Sequence, residues 1–355
     1  MIYLDYQATT PLAPEARAAM EPWLGGPDSV QFGNPHSPHR MGRMAAAAVE
    51  VARDQVAALF PAGGRVIFTS GATEAINIAM RGVGGPVACS AIEHAAVLDT
   101  ARALGDHYEL GVTGEGLCDP AQGLPEDTRL VAVMQVNNEI GTIQPTAEWY
   151  ARAKEAGALY LCDAVQAFGK IACAEADMIA VSAHKLHGPK GIGALWLRDG
   201  VELAPVSTGG GQEQGLRSGT LSPMLCAGFG AAAALAGSRM EEDAAHVETL
   251  WERACDLFAG WELNGSAEQR WHGNINLRPE GLDVARLMSD CREVMFSAGS
   301  ACASGSGRSS HVLRAIGLSD AQAKSSIRLG FGRYTTLSEL EEAAERIILA
   351  ASQQG

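Results

Sequence analysis

Each thing this chain lacks removes a class of function. Positive charge is scarce: 27 Lys and Arg stand against 41 Asp and Glu, a formal net charge of −14. That balance argues against a general nucleic-acid or membrane-surface binder and leaves room only for a local basic patch. Eight cysteines are scattered with no C-x-x-C pair and no metal-ligand spacing, so neither a disulfide framework nor a zinc site is expected. Most read as small core residues. No stretch approaches the roughly 20 uninterrupted apolar residues of a membrane span. The opening Met1-Ile2-Tyr3-Leu4-Asp5 carries neither a basic region nor a cleavage site, and the expectation is a cytoplasmic protein. No internal repeat stands out, and the runs Ala45 to Ala48 and Ala231 to Ala234 read as helix interiors.

What is present suits small-molecule chemistry. A chain of 355 residues, 47% hydrophobic and 19% charged, can bury a sizeable core and has the length of one large domain plus a smaller one. Apolar runs alternate with alanine-rich helical patterns, as in an α/β domain with a mostly parallel sheet flanked by helices. The expected strands are Arg65 to Thr69, Pro86 to Ser90, Leu130 to Val136, Ala158 to Cys162, Met178 to Ser182 and Ala194 to Arg198. Helices are expected over Arg40 to Leu59, Thr73 to Arg81, Ala95 to Leu104, Ala147 to Glu155 and Leu221 to Ala236. From about Met240 the pattern changes to an amphipathic helix through Phe258, short strands near Asn274 to Leu277 and Arg328 to Gly330, and a closing helix from Ser338. The division expected is a large domain over 14–240 and a smaller α+β one made of 1–13 with 241–355.

In an open parallel sheet, ligands sit beyond the carboxyl ends of the strands, and the residues there are unusually polar. Met178-Ile179-Ala180-Val181 runs into Ser182-Ala183-His184-Lys185 and a glycine-rich return, Gly188 to Gly193. A lysine at the end of a buried strand suits a Schiff base to pyridoxal phosphate. Upstream, Asp163 and Gln166 follow another apolar strand, and a carboxylate there can pair with a pyridinium nitrogen and keep it protonated. Ser70-Gly71-Ala72-Thr73-Glu74 opens a helix whose free N–H groups can hold a phosphate, or else is an ordinary cap. Glu93-His94 offers a histidine to stack on a ring and carry a proton, and Asn137-Asn138-Glu139 offers amides to a cofactor oxygen or a substrate carboxylate.

With these motifs the chain resembles the cysteine desulfurases of the fold-type I pyridoxal-phosphate superfamily, in the NifS/IscS branch. The resemblance runs from Tyr3-Leu4-Asp5-Tyr6 to Arg333 and includes Phe32-Gly33-Asn34-Pro35, Thr69 to Glu74, Val136 to Gly141, His184-Lys185 and Arg217-Ser218-Gly219-Thr220. It implies a seven-stranded-type sheet, Lys185 as the Schiff-base lysine, Asp163 on the pyridinium, Gln166 on the phenolate oxygen and His94 on the ring. It further implies a phosphate cup of Ala72, Thr73, Ser182 and His184, completed by Thr220 from the other subunit of a homodimer. Asn138, Asn34 and Arg328 are the expected substrate contacts, Arg328 because its planar fork grips a carboxylate. Cys302, in the glycine- and serine-rich run from Ser297 to Ser310, occupies the family's persulfide position, and a flexible loop is expected there. The implied reaction turns L-cysteine into L-alanine and a Cys302 persulfide, with sulfur passing to an acceptor protein. That acceptor would be an iron–sulfur scaffold or a tRNA-thiolation relay. The sequence leaves a selenocysteine lyase, a class V aminotransferase and a silent scaffold subunit as rivals. Gln7 replaces a smaller polar residue common among relatives.

Overall fold

The computed structural model describes residues 1–299 and 309–354. Its centre is a seven-stranded sheet in the spatial order Gly64–Thr69, Gly193–Arg198, Met178–Ser182, Leu159–Asp163, Leu130–Ala132, Val87–Ser90, His107–Leu110. All pairings are parallel except the two made by Gly193–Arg198. The apolar runs form this sheet because both faces are covered. Alternate residues of each strand enter opposite cores. Phe68, Tyr160, Val181 and Trp196 pack with Ala52 and Phe229 on one face. Ile67, Leu161, Ala180 and Leu195 pack with Ile76, Ala79 and Val97 on the other.

The helices Arg40–Ala57, Ala72–Val83, Ala95–Leu104 and Thr146–Glu155 lie where their sequence periods put them. Two expectations fail. The edge strand His107–Leu110 is absent from the sequence reading because three of its four residues are exposed, so no apolar run marks it. The two helices expected around residues 221–236 and 240–258 are one continuous helix, Pro223–Leu257, capped by Ser222. Gly237 costs a helix about 1 kcal/mol, but both halves are anchored. Phe229, Ala232 and Ala236 sit in the large-sheet core, and Leu250, Trp251 and Ala254 in another. The expected domain boundary at residue 240 lies within this helix.

That other core is built on a four-stranded antiparallel sheet of Ser297–Ala298, Ile327–Gly330, Asn274–Arg278 and Glu262–Leu263. The N-terminal strand Ile2–Tyr3 pairs with Val294–Met295, and Ile2 and Leu4 pack beside Leu329 and Ile347. The closing helix Leu337–Ser352 starts at a capping box of Thr336 and Glu339. Among the described residues no helix is long and apolar enough to cross a membrane, and no group of His, Cys, Asp and Glu could hold a metal.

Candidate active site

A cavity of about 490 Å³ opens at the carboxyl ends of the central strands. Its floor comes from adjacent strands. Asp163 ends one, paired in register with Ala180 of the next, which ends at Ser182 and turns through a single helical turn to Lys185. A Cβ on Gly193 would lie 2.4 Å from Val181 O and 2.7 Å from Gly71 Cα. Glycine is therefore what lets the Ser70–Glu74 turn approach these strands. That turn begins the helix Ala72–Val83 with no side-chain cap, leaving its first-turn N–H groups to face the cavity beside Ala72 and Thr73.

The electrostatics of the floor are those of a site awaiting a cationic ring. Burial pushes the Asp163 carboxyl upward, opposed by His94, the Val165 amide and Lys185. A protonated ring nitrogen would give this carboxylate the positive partner that burial denies it. Lys185 Nζ donates to Gln7 O and, at 2.8 Å, to Ala8 O. Burial, with the charges of Lys185, Lys190 and Lys170, lowers the His184 imidazole to about 4, so it is neutral near pH 7. Its Nδ1 lies 3.1 Å from Thr9 Oγ1. His94 caps the helix Ala95–Leu104, accepting the Ala96 N–H on Nδ1 at 3.1 Å. In its neutral form it therefore carries its proton on Nε2.

The opposite wall comes from the small sheet. Arg328 is fully buried, with Nη1 donating to Asn138 O at 2.9 Å and Nη2 to Asp5 Oδ1 at 2.7 Å. Its Nε has no partner among the described residues. Arg328 as a residue lines the cavity, and a guanidinium there is a ready partner for a carboxylate. The sequence did not suggest Asp5, Glu139 or Lys170 as site residues. Asp5 holds Arg328 from 323 positions away. Glu139 is buried, accepts from Ser310 Oγ and faces Arg328 and His94; burial pushes it up to about 7 despite these three. Nothing in local spacing signals either contact.

Ala72, Thr73, His94, Asn138, Asp163, Gln166, Ser182, His184, Lys185 and Arg328, all singled out from the sequence, line this one cavity. The structure does not bring Asn34 or Thr220 of the same chain to it. Both are exposed, and Asn34 accepts the His36 N–H at 2.9 Å instead. Cys302 lies outside the described residues.

The model of the class-V aminotransferase family matches residues 2–342. Cysteine desulfurase IscS of Rickettsia bellii is 40% identical over 372 aligned positions, covering 98% of this chain and 90% of the relative. The same protein of Rickettsia felis matches equally well. Among solved structures, a NifS-like protein superposes with a TM-score of 0.90 at 30% identity, covering 99% of both chains. SspA in complex with cysteine superposes at 0.82 with 32% identity, covering 95% of this chain and all of that one. The chain belongs to the class-V aminotransferase family, in its cysteine desulfurase branch.

Proposed function

We propose that this protein is a pyridoxal-phosphate-dependent cysteine desulfurase that converts L-cysteine into L-alanine and a persulfide on Cys302. The observation that carries the reading is the convergence of buried Asp163 with Lys185 on one cavity whose far wall is Arg328. In this reading residues 14–240 hold the cofactor, and residues 1–13 with 241–355 carry Cys302. Asp163 would sit on the ring nitrogen, Gln166 beside the ring oxygen and His94 over the ring. Ala72, Thr73, Ser182 and His184 would hold the phosphate. Bound there, pyridoxal phosphate supplies an electron sink conjugated to the substrate Cα.

The chain's own residues do the remaining work. Arg328, lining the cavity beside Asn138, holds the substrate carboxylate and fixes the amino acid in one orientation. Lys185 would hold the cofactor through Nζ, and the same Nζ would receive the Cα proton. Asp163 keeps the ring nitrogen protonated while that proton moves. The Cys302 thiolate then attacks the substrate Sγ. A new S–S bond forms, the Cβ–Sγ bond breaks, and its electron pair stays on the carbon fragment, which takes up protons to become alanine. His94 Nε2, at the same cavity, is the proton carrier. Substrate sulfur remains on Cys302 for transfer to an acceptor protein.

Thr220 is exposed and absent from its own chain's cavity, which supports a homodimer in which it completes the phosphate site of the other subunit. The test of the whole reading is incubation of purified protein with L-cysteine, following alanine, sulfide and the visible spectrum, with mass spectrometry of Cys302. Alanine together with a cysteine-dependent Cys302 persulfide is the expected result. Alanine without a persulfide would exclude the proposed sulfur step.

A further inference from the structure

Behind the cavity floor stands a titratable group that the chemistry above leaves unused. Lys170 closes the turn that follows Asp163, and its Nζ donates to Gln166 Oε1 at 3.4 Å. Gln166 Nε2 donates in turn to Gln7 O at 3.0 Å, the same carbonyl that accepts from Lys185 Nζ. A hydrogen-bonded path thus joins the two lysines through one amide. On its other side Lys170 borders a second cavity of about 40 Å³ with Gln7, His187, Asp243 and Arg333. There Gln7 Oε1 and Arg333 Nη1 lack partners among the described residues, and the space suffices for a water. The charged and titratable groups around Lys170 are therefore Lys185, His184, His187, Arg333 and Asp243.

A primary amide is nearly symmetric in shape and opposite in hydrogen bonding at its two ends. Flipping Gln166 would set its NH₂ against the Lys170 amine and its oxygen against the Gln7 carbonyl, losing both bonds at once. Two partners of opposite kind therefore dictate one orientation. We propose that Lys170 is a positioning residue that fixes the Gln166 amide with Nε2 on the Gln7 and Lys185 side of the cavity. Burial, with the nearby Lys185 charge, lowers the Lys170 ammonium to about 7. The ammonium can only donate and enforces the orientation fully, whereas the neutral amine can also accept, so above that pH the bond from Gln166 Nε2 to Gln7 O carries more of the preference.

The inference rests on the cofactor reading, and it is tested on the loaded protein by spectroscopic titration of the Lys185–cofactor linkage. An N–H donor beside the ring oxygen competes with the linkage proton for that oxygen, so losing the fixed donor raises the linkage pKa. Lys170→Met should shift it upward by about 0.5–1 unit, the size of one hydrogen bond. The removed charge pushes the same way, and a double-mutant cycle separates the two. In a Gln166→Ala background Lys170→Met should keep only the smaller shift that comes from the removed charge. Lys170→Gln, which keeps a donor but no charge, should show only the smaller shift that comes from the removed charge, and it carries the test if Lys170→Met does not fold. An equal shift in both backgrounds, a Lys170→Gln shift as large as that of Lys170→Met, or no shift at all would overturn the proposal. A wild-type protein with no borohydride-reducible chromophore would instead overturn the cofactor reading.

Discussion

The two walls of the cavity are assembled over very different distances along the chain. The floor comes from neighbouring strand ends, with Asp163, Ser182 and Lys185 delivered by strands that pair directly. The wall that faces the substrate carboxylate is long-range throughout. Arg328 meets Asp5 across 323 positions, Glu139 meets Ser310 across 171, and Asn276 meets the Glu139 carbonyl across 137. Fold topology thus fixes the floor, whereas tertiary packing fixes the wall. Chemistry common to pyridoxal enzymes should fail when the floor is altered, and substrate choice when the wall is.

The sharpest test of the floor is Lys185→Ala. It removes both the cofactor anchor and the group that receives the Cα proton, so alanine formation should fall by about 10⁴-fold, the upper end of what a positioned base supplies. Borohydride should no longer fix the cofactor covalently. Reduction that still labels another lysine would place the anchor elsewhere and end the comparison. Next in size is Cys302→Ser. Alanine release from L-cysteine should drop by about 10³-fold, while the cysteine-induced spectral change persists. Near-normal alanine release by this variant would move a selenocysteine lyase or another β-elimination to the front.

This difference between the walls also decides what was legible in the sequence. Lys185, Asp163, Gln166 and His94 were readable because each follows a buried apolar strand or opens a helix, and an open parallel sheet gathers such residues at one edge. Arg328 was readable as a candidate, but its engagement by Asp5 was not, because no local pattern links two residues on opposite ends of the chain. Lys170 looked like any lysine after a turn, and only the packing of Gln166 and Gln7 around it gives it a neighbourhood. The helix Pro223–Leu257 read as two because Gly237 and Ser238 interrupt its apolar pattern. Contacts with two separate cores keep it whole, a tertiary effect that propensity does not carry. The edge strand His107–Leu110 failed for the converse reason, since it pairs with Val87–Ser90 while three of its four residues are exposed and leave no apolar run.

On the substrate wall, Arg328→Lys keeps the charge and removes the planar fork. Asp5 Oδ1 and Asn138 O would lose charge-assisted donors inside the protein. The carboxylate would lose the planar guanidinium at the cavity. A lost hydrogen bond to a charged group is worth about 1.5–3 kcal/mol, so kcat/KM for L-cysteine should fall by roughly 10–100-fold, with the larger share in KM. The linkage chromophore of Lys185 should be formed normally, because no floor residue has changed. Loss of the chromophore in this variant would show that the two walls are not independent.

The smallest effect tests the long-range wall through its pH dependence. Burial raises the Glu139 carboxyl from its ordinary value of 4.5 to about 7, although the Ser310 hydroxyl, Arg328 and His94 all pull the other way. An acid whose pKa is higher in the folded state binds its proton more tightly there. Its contribution to stability is complete below the unfolded value of 4.5 and is lost as the pH rises through about 7. Between about pH 5.5 and 7.5 the folded state should therefore lose about 2 kcal/mol through this one group. Glu139→Gln cannot titrate, so its urea-unfolding free energy should stay flatter than that of the wild type across that window. The two curves should diverge most where Glu139 ionises. The sign is opposite to that of an ordinary salt-bridged carboxylate, whose stabilisation grows with pH over the acid range. Parallel curves for the two proteins would mean that Glu139 is already ionised at the lower pH. Its hydrogen bond from Ser310 and its neighbours Arg328 and His94 would then outweigh burial.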